Sequence, residues 1–296
     1  MPSRTKANIV VLTANFLFGA NYFAVKYITP SRMEPLSLNV VRVVVSVGLF
    51  WLVFLVNPSR HRIQKQDIPR FLLCSMLGVA INQILFIKGL SLTTSIHGAL
   101  LMLVTPIFIT MIAAWLGKEG LSLVKILGLV LGISGAAVLI LFKENTHTGS
   151  NILLGDLCII LNAISYAFYL VLVKPLMLRY SPIQVIRWVF TIGSLMILPI
   201  GWNSFIHTNW AGFDVCHFAA LAFVVVGATF LAYLFNIYGV SRLGASATGS
   251  YIYTQPLFAT LIAVSLGSEN FNTLKLFAGL LIFSGVYLVN VKNKRS

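Results

Sequence analysis

The residues best equipped for chemistry in this chain are amides and phenols set inside long apolar stretches. Asn15 and Asn21 occupy the first stretch, Asn82 and Gln83 a later one, and Asn162, Tyr166 and Tyr169 another. Tyr233, Asn236 and Tyr238 follow, then Tyr251, Tyr253 and Gln255. Polar side chains are costly in hydrocarbon and turn toward protein or a water-filled cavity. An amide both donates and accepts hydrogen bonds, and a phenol adds an aromatic face, so this set recognises rather than reacts. Taken singly, each residue serves as an interhelical hydrogen bond contributing about 0.6 kcal/mol. Taken together, Asn15, Gln83, Thr105, Tyr166, Tyr233, Asn236, Tyr253 and Gln255 are expected to line a polar, aromatic-rich cavity. Such a cavity suits a small zwitterion with an apolar or planar side chain.

Three further features bear on mechanism. Pro106 and Pro256 fall in the middle of apolar stretches, where a proline removes a backbone hydrogen bond and bends a helix. They read as hinges beside a cavity or as static kinks. Arg42 and Arg187 each lie about one turn into a stretch, where long basic side chains usually snorkel to the interface. For Arg42 the alternative is capture of a carboxylate at a cavity mouth. His97 opens a stretch and reads either as a group titrating near neutral pH that gates access or as an ordinary interfacial residue. Cys74, Cys158 and Cys216 have no CxxC spacing, so neither a disulfide framework nor a metal is expected, and no cofactor.

The elements that must hold these residues follow from composition. The chain is 58% hydrophobic and only 9% charged, far below the charge of about 25% that wets a soluble domain. Uncharged runs long enough to cross a bilayer recur throughout. They give ten expected spans, at 7–28, 37–56, 70–90, 96–116, 124–142, 153–173, 184–204, 215–239, 248–267 and 274–291. The net charge of +14 does not point to nucleic acid, because the basic residues sit between spans rather than on a soluble fold. With the N-terminus in the cytoplasm, fifteen Lys and Arg fall inside and six outside. That bias predicts cytoplasmic N- and C-termini in an inner or plasma membrane.

The second half repeats the first. Residues 87–139 align with 237–289 without a gap, and fifteen of the 53 positions are identical. The pairs include Gly89/Gly239, Pro106/Pro256, Phe108/Phe258, Glu119/Glu269, Lys125/Lys275 and Gly135/Gly285. Each unit, 1–145 and 146–296, holds five spans. An odd number forces opposite orientations, so the expected fold is an all-α integral membrane protein of ten transmembrane helices in two inverted five-helix repeats. Inverted repeats place a site near the midplane that opens to either side in turn, which predicts a carrier. Gly128, Gly132 and Gly135 in one unit and Gly279, Ser284 and Gly285 in the other are expected to let helices approach closely.

Each unit carries a small-rich helix, a proline followed by an aromatic, a Gly-x-Glu turn and a Gly/Ser-rich helix. The copies read TSIHGALLMLVTPIFITMIAAWLGKEGLSLVKILGLVLGISG and GASATGSYIYTQPLFATLIAVSLGSENFNTLKLFAGLLIFSG. This resembles the EamA family of the drug/metabolite transporter superfamily, in its ten-helix form. The resemblance implies export or exchange of amino acids or other small metabolites by alternating access, with an arginine in the helix that holds Arg42. The Leu-Gly-Glu turn is expanded here by Lys118 and Ser268, and His97 replaces a small residue. Four-helix multidrug exporters of the superfamily trade protons on a glutamate in their first helix, where this chain offers Asn15 and Asn21. Asp156 is the nearest carboxylate to any span interior, so carboxylate-driven antiport of cationic drugs is disfavoured. The partners implied are a small-molecule substrate and the lipid bilayer, with a single chain as the functional unit. The rival reading, an intramembrane enzyme acting on lipid-linked substrates, needs clustered catalytic groups. His61, His97, His147, His207 and His217 are instead scattered over loops and helix ends.

Overall fold

The computed structural model describes residues 2–56, 63–116, 123–141, 150–243, 251–267 and 272–290. Among these residues every regular element is helical. In chain order they are α1 (Pro2–Ile28), α2 (Pro35–Val56), α3 (Ile68–Ser75), α4 (Ile81–Leu92), α5 (Ser95–Met102), α6 (Thr105–Trp115) and α7 (Leu123–Leu141). The second half contributes α8 (Ile152–Arg179), α9 (Pro182–Ile206), α10 (Val215–Ala222), α11 (Ala232–Leu243), α12 (Gln255–Ser265) and α13 (Thr273–Asn290). The turns bearing Glu119 and Glu269, and His61, His147 and Ala247, lie outside the described residues.

Seven helical stretches are long and apolar enough to cross a membrane. They are Thr5–Ile28, Pro35–Val56, Lys65–Leu92, Ser95–Ile112, Ile152–Arg179, Pro182–Ile206 and Val215–Asn236. Leu123–Val138 and Thr273–Gly285 are shorter apolar helices, and the expected span at 248–267 is represented by α12 behind a 3-10 turn, Tyr251–Thr254.

Local chemistry sets where the helices begin. Pro35 and Pro182 each open a helix, where the missing N–H has no intrahelical partner to lose. Side chains cap the exposed N–H groups of other first turns. Thr94 accepts from the His97 N–H at 3.2 Å, Asn151 from Leu154 at 3.2 Å and Ser181 from Gln184 at 3.3 Å. Asp214 caps α10, accepting from the His217 N–H at 2.9 Å and its ring Nδ1 at 2.7 Å. That backbone bond, helped by the ring, holds the Asp214 carboxyl below the ordinary carboxylate range. Tyr27 at the end of α1 stacks on His217 with centroids 5.1 Å apart, tying α1 to α10.

The burial pattern inverts that of a soluble protein. Leu55, Leu127, Leu195, Leu261 and Leu280 face outward, while Asn15, Asn39, Gln83 and Arg42 are buried. In a membrane lipid solvates the apolar surface, and polar groups are driven inward toward one another. The tightest helix pairings each join one half of the sequence to the other: α7 with α13, α2 with α9, α4 with α8, and α1 with α11 and α12. The halves interlock rather than fold as separate bodies.

Glycine makes the α7–α13 pairing possible. A Cβ on Gly285 would lie 2.4 Å from the Gly132 nitrogen and 2.6 Å from the Gly128 carbonyl oxygen, both backbone atoms with no freedom to move. A Cβ on Gly135 would meet the Ala278 carbonyl at 2.8 Å. Gly128, Gly132, Gly135 and Gly285 therefore sit at one helix contact, whereas Gly279 faces Leu100 of α5 and Ser284 is exposed. Gly48 on α2 has nothing within 4 Å of such a Cβ. Gly285→Ala is expected to destabilise the protein by about 1–3 kcal/mol through overpacking, whereas Gly48→Ala stabilises it by about 0.5–1 kcal/mol through helix propensity. Opposite shifts of the two variants in thermal unfolding in detergent check this.

Candidate functional site

The site is built around two interruptions of helical geometry. Between α3 and α4 the chain winds as a π-helix over Met76–Ala80. Between α10 and α11 it does so again over Phe223–Leu231. The 150-residue shift of the sequence repeat carries Met76–Ala80 onto 226–230, inside the second stretch. A π turn widens the ladder and leaves neighbouring carbonyls short of their usual partners. In an apolar interior those carbonyls need donors from other helices. Ser165 donates to the Leu77 carbonyl at 2.7 Å, Asn162 to Asn82 at 2.7 Å and Asn39 to Gln83 at 3.1 Å. In the second stretch the Thr229 hydroxyl donates to the Val224 carbonyl at 2.7 Å.

Gln83 and Tyr233, equivalent positions of the repeat, follow the two π stretches and meet. The Gln83 Nε2 donates to the Tyr233 hydroxyl at 3.3 Å. Aromatic groups enclose that contact. Tyr233 makes edge contacts with Phe18 and Phe190 at centroid distances of 5.6 and 5.2 Å, and Tyr166 stacks on Tyr169 at 5.8 Å. Arg42 enters the same region, its Nε donating to Thr229 Oγ1 at 2.8 Å. Arg42 is 3% exposed. It lies seven residues past Pro35, roughly 10 Å along the helix, and its side chain turns inward, so it does not snorkel. Arg187 differs. Its guanidinium carbon lies 3.4 Å from the Phe54 ring centroid and 4.3 Å from that of Trp51, and aromatic faces receive its charge.

The remaining residues expected in the cavity divide. Asn15 accepts from Gln255 Nε2 at 2.8 Å, joining α1 to α12. Gly19 lets that pair close, since a Cβ there would lie 2.7 Å from Phe258 Cβ. The hydroxyl of Thr105, the repeat equivalent of Gln255, donates to the Met102 carbonyl of its own chain segment at 2.7 Å. Tyr253 packs edge-on against Phe283 at 5.5 Å, and Asn236 is half-buried on α11. Pro106 and Pro256 do not kink a continuous helix. Each stands in the first turn of a new segment, α6 or α12, after a break at 103–104 or the 3-10 turn. A proline is well tolerated at that position.

One cluster escaped sequence reasoning. Asp156 is 0% exposed and His97 1%. His97 Nδ1 lies 3.1 Å from Asp156 Oδ2, and Thr93 donates to the other carboxylate oxygen. Lys26 donates to the Ser91 and Thr93 carbonyls at 3.1 and 2.6 Å. His97 is thus an interior residue that joins α5 to α8, not an interfacial one. The partners are 59 positions apart, and no local spacing could announce them. Among the described residues no group of three or more His, Cys, Asp or Glu side chains gathers as metal ligands.

A buried polar interior inside helices with apolar outer faces defines a multi-pass membrane protein. The model of the EamA-like transporter family matches residues 5–141 and again 153–291, and the chain belongs to that family. It is similar to the uncharacterized transporter YetK of Bacillus subtilis, at 22% identity over 85% of this chain and 77% of that protein. It is also similar to a WAT1-related protein of Arabidopsis thaliana, at 23% identity over 98% and 86%. A solved crystal structure superposes with a TM-score of 0.64 at 18% identity, covering 99% of this chain and all of the other, which shows a shared fold.

Removing one partner of a buried pair leaves the other uncompensated, at a cost of about 3–5 kcal/mol. Asp156→Ala is therefore expected to lower the thermal midpoint steeply. Cys216→Ser, at an exposed position, is expected to leave it unchanged in the same assay.

Proposed function

We propose that this protein is a ten-helix carrier that moves amino acids or similar small metabolites across the cell membrane by alternating access, in the export direction. Its two halves are inverted five-helix repeats, both termini face the cytoplasm, and a single chain is the working unit. The observation that carries the reading is the contact between Gln83 and Tyr233. These equivalent positions follow the two π stretches and meet inside a polar, aromatic interior where the halves interlock. A structural membrane protein has no need to interrupt two helices at matching places and line the break with amides and phenols. A carrier does, because non-helical backbone at membrane depth is tolerated where it lines a site.

In this reading Gln83, Tyr166, Tyr233, Asn236 and Tyr253 face the translocated molecule, and the Asn15–Gln255 bond links α1 to α12 as the halves rock. The breaks ahead of Pro106 and Pro256 are the hinges, since each separates two short helical segments that rotate independently.

Purified protein in liposomes is expected to exchange labelled amino acids in counterflow. Gln83→Trp or Tyr253→Trp should slow exchange about tenfold or more by filling the path, a loss of about 1.4 kcal/mol. No movement across a broad metabolite panel would sink the reading. Topology has its own readout. A membrane-impermeant maleimide added outside intact cells is expected to label Cys216, which is exposed, and to spare the buried Cys74. Labelling of Cys216 only after lysis would reverse the orientation.

A further inference from the structure

We infer that one face of α2 reads the head group of the transported molecule, Arg42 holding its carboxylate and Asn39 its ammonium; this rests on the carrier reading above. Residues 39, 42 and 46 share a helix face by their spacing, and all are buried: Asn39 0%, Arg42 3% and Ser46 0% exposed. Each presents a buried atom with no hydrogen-bond partner, Asn39 Oδ1, Arg42 Nη1 and Ser46 Oγ. Asn21 Oδ1, Asn162 Oδ1 and the Nε and Nη1 of Arg187 are also unpartnered, but among the described residues α2 alone gathers three such residues, on one helix face.

The charge of Arg42 is also without a counter-ion among the described residues. Asp67 is held by Arg179 at 2.9 Å and by the Tyr180 hydroxyl at 2.7 Å. Asp156 is taken by Thr93 and His97, and Asp214 by His217. Glu34 is exposed ahead of α2, and Glu119, Glu144 and Glu269 fall outside the described residues. Arg42 touches only neutral groups. Thr229 accepts from its Nε while the threonine hydrogen is committed to the Val224 carbonyl. A buried cation with one neutral hydrogen bond is destabilised, and an anion at its free N–H relieves that cost. The planar guanidinium suits a carboxylate.

Asn39 extends the recognition to a second charge. Its Nδ2 is fixed as the donor to the Gln83 carbonyl, so the orphan is an acceptor. An acceptor one turn from a cationic donor complements a molecule that carries an ammonium beside a carboxylate. Ser46 stands on the other side of Arg42 and offers a hydroxyl to the second carboxylate oxygen. Arg187 also has unpartnered Nε and Nη1 atoms, but the Trp51 and Phe54 rings cover its guanidinium. One head-group site therefore serves the whole molecule. Since its residues are covered, binding is completed in an occluded state, and release requires α2 to part from the Phe223–Leu231 stretch.

The test uses the full-length protein with phenylalanine, leucine and threonine, each beside its des-amino acid and its decarboxylated amine. Thermal shift reads binding, and counterflow reads movement. Wild type is expected to prefer the amino acid, then the acid, then the amine. Arg42→Gln should weaken the amino acid and the acid about 10- to 100-fold and leave the amine unchanged, with partial recovery in Arg42→Lys. Asn39→Leu should remove the preference for amino acid over acid. Asn39→Asp, which gives Arg42 an internal carboxylate, should weaken acids and favour amines. A monodisperse Arg42→Gln protein that keeps wild-type affinity for the acids overturns the inference. Wild type that moves amines or uncharged metabolites but no carboxylate overturns it while leaving the carrier reading in place. Wild type that neither binds nor moves any metabolite sinks both.

Discussion

The structure depends on one constraint: inside hydrocarbon every backbone carbonyl must find a donor within the protein. A regular helix meets it alone, but the π stretches Met76–Ala80 and Phe223–Leu231 do not. Ser165 from α8 and Thr229 from the second stretch itself donate to carbonyls within these stretches, and Asn162 from α8 and Asn39 from α2 to carbonyls of the α4 turn that follows the first. Those donors fix the register of α2 and α8 against α4. They also dictate what else stands nearby. Asn39 must face the Gln83 carbonyl, so Arg42, three residues on, must face inward too. The depth of Arg42 is a consequence of helix geometry once Asn39 is committed.

The broad fold was legible because composition and repeat are global signals. Apolar runs of bilayer length reveal helices, and fifteen identities at a constant shift reveal duplication. Gln83 and Tyr233 occupy equivalent positions of the duplicated chain, and they meet where its halves come together. The α7–α13 glycines could be read from their spacing alone. What stayed hidden depends on hydrogen-bond accounting between distant segments. No residue type marks a π turn, and Asn39 looks like any interfacial amide until the Gln83 carbonyl requires it. His97 and Asp156 each look like an end-of-helix residue. Their burial follows from the close approach of α4 to α8, where a Cβ on Gly155 would lie 2.8 Å from the Gly89 carbonyl oxygen. The form of the bend at Pro106 was not legible, because a broken span and a kinked one share the same sequence: Pro106 stands in the first turn of α6, after a turn at 103–104.

Duplication also explains where the site is asymmetric. Two equal halves would place two equal sites about a pseudo-axis, and a single small molecule can satisfy only one. The halves differ where polar chemistry is densest. Gln83 opposes Tyr233, giving a donor one aromatic acceptor instead of a matched amide pair. Thr105 closes on its own backbone while its counterpart Gln255 reaches Asn15. Arg42 rests on a threonine hydroxyl and Arg187 on aromatic faces. The Arg187 guanidinium packs against Trp51 and Phe54, which bridges α2 and α9 while its Nε and Nη1 stay without hydrogen-bond partners. A guanidinium held by one hydroxyl retains an unmet demand. In a low-dielectric interior that demand is what discriminates, because leaving a buried donor unpaired costs more than any apolar contact of similar size returns. In the carrier reading, selectivity is therefore expected to follow the unmet groups rather than the frame that the two halves share. Asn39, Arg42 and Ser46 on α2 carry three of those groups, and Asn21, Asn162 and Arg187 carry the others.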